Sequence, residues 1–111
     1  MLRVCSQARA GNYYGKGVYF AERAGYCWPK AFSPSSSSSK QLILSEVLTG
    51  KVMNYEHVDE ATRALAAPPS PEYDSVCGGP HRLSGSICDS KVYVVYSWYQ
   101  AYPKYIVTFS H

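Results

Sequence analysis

Apolar and polar positions alternate in ways that divide the chain into short strands separated by long connections. Tyr13 to Ala21 carries two glycines, Gly15 and Gly17, in its first half and turns into a short strand at Val18-Tyr19-Phe20. Glu22 to Trp28 has room for one or two helical turns before Pro29 ends them. From Gln41 to Val52, Leu42, Leu44 and Leu48 share one parity with Glu46, while Ile43 and Val47 share the other with Ser45 and Thr49. Apolar groups on both parities predict a strand covered on both faces. Asp59 to Ala67 has helical composition and an acidic start, and Pro68-Pro69 stops it. Lys91 to Tyr99 is β-branched and aromatic throughout, which predicts a strand broken by Ala101-Tyr102-Pro103; Tyr105 to Phe109 is the last strand.

The segments between these carry little pattern. Residues 1–12 are small and polar and read as a loop, and Ser70 to Ser90 is rich in turn residues, with Gly78-Gly79-Pro80 at its centre. Residues 33–40 contain five consecutive serines, Ser35 to Ser39, which bury no apolar surface and predict an exposed, flexible loop. The whole of 1–111 reads as one α+β unit rich in antiparallel strands.

Composition narrows the classes. No run reaches the roughly 18 apolar residues of a membrane span, and the first residues lack the apolar stretch of a secretory signal, which predicts a soluble protein of the nucleus or cytoplasm. Net charge is +3 with basic residues scattered, so a nucleic-acid groove is not predicted. The cysteines, Cys5, Cys27, Cys77 and Cys88, form no C-x-x-C pair, and neither His57 nor His81 completes a zinc spacing, so reduced thiols and no metal are expected. Eleven tyrosines are concentrated toward the two ends, where half-buried rings with bonded hydroxyls would suit strands.

Tyr14-Gly15-Lys16-Gly17-Val18-Tyr19-Phe20-Ala21 resembles the most recognisable segment of the poly(ADP-ribose) polymerase catalytic domain. Further matches follow in the same order: Ala24-Gly25-Tyr26-Cys27, Val47-Leu48-Thr49-Gly50, Tyr73-Asp74-Ser75-Val76, and Gln100-Ala101-Tyr102-Pro103 running into Tyr105-Ile106-Val107-Thr108-Phe109. The resemblance implies an antiparallel split β-sandwich holding NAD, as co-substrate, in a cleft between two sheets. It also implies transfer of ADP-ribose to a protein acceptor, by positioning and electrostatics.

Carried over residue by residue, Tyr19 matches the tyrosine of the family's His-Tyr-Glu triad, with Phe20 and Ala21 beside it, and Gly15 and Gly17 match the preceding glycines, where backbone would approach the ligand. Cys27 stands where the family has a serine that bonds the carboxamide, and a thiol is a weaker partner. Phe32, thirteen residues after Tyr19, and Tyr26 compete for the role of the ring that stacks on nicotinamide. Eight residues before Gln100, where polymerising members have glutamate, stands Val92. An aliphatic residue there is similar to the mono-ADP-ribosylating subgroup, since no side chain is left to activate a ribose hydroxyl for chain growth. The family's His-Gly pair belongs upstream of Tyr14, where thirteen residues contain no histidine. The chain therefore reads as the C-terminal portion of such a domain, expected to be inactive as it stands. The alternative is a catalytically dead fragment serving as a binding or scaffold module.

Overall fold

A computed structural model describes residues 2–6, 13–28 and 39–110. In chain order the elements are β1 (Leu2–Ser6), β2 (Val18–Ala21), α1 (Ala24–Cys27), β3 (Ser39–Val47), β4 (Val52–Tyr55), α2 (Glu60–Arg63), β5 (Ser75–His81), β6 (Ser90–Val95), a 3₁₀ turn (Trp98–Gln100) and β7 (Ala101–Ser110). The strands form one seven-stranded sheet in the order β4-β5-β6-β2-β1-β3-β7. The α+β class agrees with expectation. The sheet is mixed, because β4 runs parallel to β5 while the other pairings are antiparallel.

Alternation along the strands gives this sheet two faces. Tyr19 and Ala21 of β2 and Val92 and Val94 of β6 bury into one cluster with Tyr14, Tyr26, Cys27, Leu42 and Val76. Phe20 and Val95 point the other way and join Val47. β3 contributes to both, Leu42 to the first and Val47 to the second, as its two-sided pattern predicts. It ends at Val47, however, and Val52 opens β4. Between them Gly50, at φ +57, makes a turn that a side chain would block by overlapping the Asp74 carboxylate.

Several predicted boundaries move, each for a local reason. Residues 2–6 are a strand, paired with both β2 and β3. β5 runs through Gly78-Gly79-Pro80, which reads as a turn in sequence, and it pairs with β6 across an irregularity between Gly78 and His81. β6 stops at Val95, and β7 begins at Ala101 and continues through Pro103. A proline is tolerated there because β7 is an edge strand and the register skips Lys104 between Leu44↔Tyr105 and Ser45↔Pro103. The Lys104 ammonium meets Glu46 on β3 at 3.0 Å. α2 is only four residues long. Its start is a capping box in which Thr62 N–H donates to Asp59 Oδ1 and Asp59 N–H donates to Thr62 Oγ1, both at 2.9 Å. Ser39 and Lys40 lie in β3, while residues 33–38 of the serine run are outside the described residues.

Candidate functional site

The turn before β2 is built around Gly15, which sits at φ +78, where an L-residue is strained. A Cβ here would overlap the Leu65 carbonyl oxygen, which accepts the Lys16 N–H at 2.9 Å. Just past α2, that carbonyl is therefore engaged by the turn. Gly17 is tight for a different reason: a Cβ would overlap Val94 Cγ1 and stand 2.9 Å from the Val95 oxygen. The close approaches that these glycines permit are to Leu65 and β6.

Tyrosines hold the turn. Tyr14 N–H donates to the Tyr19 hydroxyl at 2.9 Å, and that hydroxyl donates to the Gly15 carbonyl at 2.7 Å. The Tyr96 hydroxyl donates to the Tyr14 carbonyl at 2.6 Å. The Tyr14 hydroxyl bonds His81 Nε2 at 2.7 Å, and the His81 ring lies parallel to Tyr13, centroids 4.0 Å apart. Gly78 leaves space for this arrangement, since a Cβ there would overlap the Tyr14 hydroxyl. Burial pushes the Tyr14 phenol up to about 12 and raises Tyr19, against the pull of the Tyr14 N–H. Burial lowers His81 from its ordinary value. All three are neutral near pH 7.

On the same face, Ala21 pairs with Val92 and Tyr19 with Val94. Val92 is fully buried in the cluster that contains Tyr19, Tyr26 and Cys27. α1 supplies the last two. It is pinned by Ser86, whose hydroxyl donates to the Tyr26 carbonyl at 2.8 Å, and by Ile87 N–H, which donates to the Gly25 carbonyl at 3.0 Å. The Tyr26 hydroxyl is buried beside Tyr13, and burial, reinforced by Tyr13, raises its proton affinity far above the usual phenol value.

The structure thus gathers Tyr19, Ala21, Tyr26, Cys27 and Val92 on one face, beside the turn formed by Gly15 and Gly17. It places Phe20 on the other face, with Val47 and Val95. Phe32 lies outside the described residues. Tyr13, Tyr55, Tyr96 and His81 join the site without having been singled out by sequence, and Tyr14, the first residue of the glycine motif, joins it without an assigned role. The concentration of tyrosine was the available signal, but it marked no single position.

The remaining motif segments meet elsewhere, in a structural knot. The Gln100 side-chain amide donates to the Leu48 carbonyl at 3.2 Å and to the Asp74 carbonyl at 2.8 Å, and Leu48 N–H donates to the Gln100 carbonyl at 2.7 Å. Lys51 N–H donates to Asp74 Oδ2 at 2.9 Å, and the Ser75 hydroxyl to the Thr49 carbonyl at 2.7 Å. These bonds join the end of β3, the start of β5 and the start of β7. A cavity of about 340 Å³ beside them is lined by Tyr73, Asp74, Tyr99 and Gln100, away from Tyr19. Among the described residues no helix is long and apolar enough to cross a membrane. Cys27, Cys77 and Cys88 are thiols rather than disulfides.

Comparison with known proteins gives a consistent picture. The poly(ADP-ribose) polymerase catalytic domain matches residues 1–79. The chain is 34% identical over 104 residues to human protein mono-ADP-ribosyltransferase PARP14, covering 86% of this chain and 5% of that protein. It is 31% identical over 114 residues to mouse protein mono-ADP-ribosyltransferase PARP12, covering 97% of this chain and 14% of the relative. It is 31% identical over 104 residues to mouse protein mono-ADP-ribosyltransferase PARP10, covering 90% and 10%. The chain therefore spans a small part of the length of these curated relatives.

Proposed function

Because the chain belongs to the poly(ADP-ribose) polymerase catalytic-domain family, we propose that it contributes the tyrosine-bearing side of an NAD-dependent ADP-ribosyltransferase that adds single units to protein. In that reaction the bond between nicotinamide and ribose breaks, nicotinamide leaves, and a nucleophile of the acceptor protein takes the ADP-ribose and gives up its proton. The observation that carries the proposal is the shared face of Tyr19 and Val92 on adjacent strands, with a buried aliphatic side chain at the Val92 position.

Each residue then has a part. Tyr19, held by the Gly15 carbonyl and the Tyr14 N–H, presents a fixed ring edge toward the nicotinamide ribose. Tyr26 brings a buried hydroxyl and Cys27 a thiol toward the carboxamide, a weaker clamp than a pair of oxygen donors. Ala21 keeps the wall low, and the glycines let the turn seat on Leu65 and β6. Val92 excludes water but takes no proton, so the growing ribose hydroxyl finds no base and transfer stops after one unit. Within this reading the two faces of the sheet belong to a split β-sandwich, and the protein works in the nucleus or cytoplasm.

The second reading, a binding module without turnover, draws support from Tyr19 itself, whose hydroxyl already has a donor and an acceptor within the turn. Mass spectrometry of acceptor proteins incubated with the protein and NAD separates the two. Addition of one ADP-ribose per modified site, abolished in Tyr19→Ala, is expected. Long chains would overturn the role given to Val92, and no addition would favour the binding module.

A further inference from the structure

We propose, resting on the placement of Tyr19 in the donor site, that His81 is a positioning residue that holds the Tyr19 hydroxyl in place through Tyr14. The link is short and continuous. His81 Nε2 bonds the Tyr14 hydroxyl at 2.7 Å, and the backbone N–H of the same Tyr14 donates to the Tyr19 hydroxyl at 2.9 Å. Tyr14 is thus fixed at its side chain by β5 and at its backbone by β2. The Tyr96 hydroxyl secures its carbonyl from the segment after β6.

Several features suit this role and no other part of the fold explains them together. The imidazole is confined by Tyr13, whose ring is parallel to it within 2°. Gly78, three positions earlier on β5, is the residue whose missing side chain lets the Tyr14 hydroxyl reach the strand. Tyr14 is also flanked by Tyr55 of β4, with ring centroids 5.9 Å apart, so β4, β5 and the turn close on one phenol. Arg82, next in sequence, is engaged by Asp89 at 3.1 Å, which leaves the neutral ring of His81 as the polar partner of Tyr14 from this strand. Removing that partner frees the Tyr14 side chain and loosens its backbone bond to Tyr19, while leaving the strand ladder intact.

The test compares amide hydrogen exchange of Tyr14 with that of Val94, a core position of β6, in the full chain and two variants. His81→Phe keeps a ring against Tyr13 and removes the bond to Tyr14. His81→Gln keeps a polar partner and removes the ring. Loss of one buried hydrogen bond predicts exchange at Tyr14 about tenfold faster in His81→Phe, relative to Val94, with His81→Gln closer to the wild type. Unchanged protection of Tyr14, or loss in equal proportion at Val94, would overturn the proposal. Thermal unfolding with added NAD supplies the functional arm, where His81→Phe should lose most of the NAD-induced shift and His81→Gln recover part of it. A full shift in His81→Phe would overturn the positioning role. A wild type indifferent to NAD refutes the donor-site reading instead, and the amide ratio then decides the role of His81 alone.

Discussion

Replacing Gly15 by alanine is predicted to be among the most damaging single-methyl additions in the chain. Two terms contribute. The backbone at φ +78 is left-handed, which costs an L-residue about 1–2 kcal/mol. The new Cβ also overlaps the Leu65 carbonyl oxygen, a backbone atom that cannot rotate aside, so the turn must lift away. Lifting it breaks the Lys16 N–H to Leu65 bond, worth about 0.5–1.5 kcal/mol. The sum is roughly 1.5–3.5 kcal/mol, a large share of the 5–15 kcal/mol typical of a domain. In urea, with a slope of about 2 kcal/mol per molar, the midpoint should fall by roughly 1–2 M at unchanged slope. Gly17→Ala is the comparison without left-handed strain: its Cβ would overlap Val94 Cγ1 and stand 2.9 Å from the Val95 oxygen, and overpacking of that kind costs about 1–3 kcal/mol. A loss below about 1 kcal/mol for Gly15→Ala would refute the seating of the turn on Leu65.

Three further outcomes follow from the same geometry. Gln100→Ala removes two bonds that tie β3 and β5 to the start of β7, and should lower stability by about 1–2 kcal/mol in equilibrium unfolding, whereas Gln100→Glu, whose carboxylate donates neither bond, should do no better. Because burial depresses His81 below its ordinary 6.5, the unfolded chain binds the extra proton first. Stability should therefore be full above that pH and decline as pH falls from it through the lower folded value, a decline that His81→Gln removes from a series of unfolding curves. The buried phenols run the other way: Tyr14, Tyr19, Tyr26 and Tyr96 are raised by burial, so stability should fall as pH rises above about 10. Phenolate absorbance of these rings should then appear together with unfolding rather than before it.

What the sequence made legible were features carried by local pattern. The alternation in Val18-Tyr19-Phe20 and the two-sided apolar run of β3 predict strands where strands form, and motif spacing relates Tyr19 to Val92, which lie on paired strands. Features that depend on distant partners were not legible. Gly78-Gly79-Pro80 reads as a turn because nothing nearby says that Gly78 must clear the Tyr14 hydroxyl from a position 64 residues away along the chain. Pro103 reads as a break because its tolerance comes from the edge position of β7 and the skipped Lys104. α2 is shorter than its composition suggests, and the carbonyl of Leu65 just beyond it serves the glycine turn. His81 carried no motif at all, and only the fold brings it to Tyr14.

The central claim, that the face bearing Tyr19 and Val92 belongs to an NAD site, is tested most directly by calorimetric unfolding of the chain at increasing NAD. A ligand of the folded state raises the transition with the logarithm of its concentration once that exceeds Kd. The transition should rise in this way in the wild type and not in Tyr19→Phe, which keeps the ring and removes the hydroxyl. A cooperative transition that stays in place at millimolar NAD would contradict it.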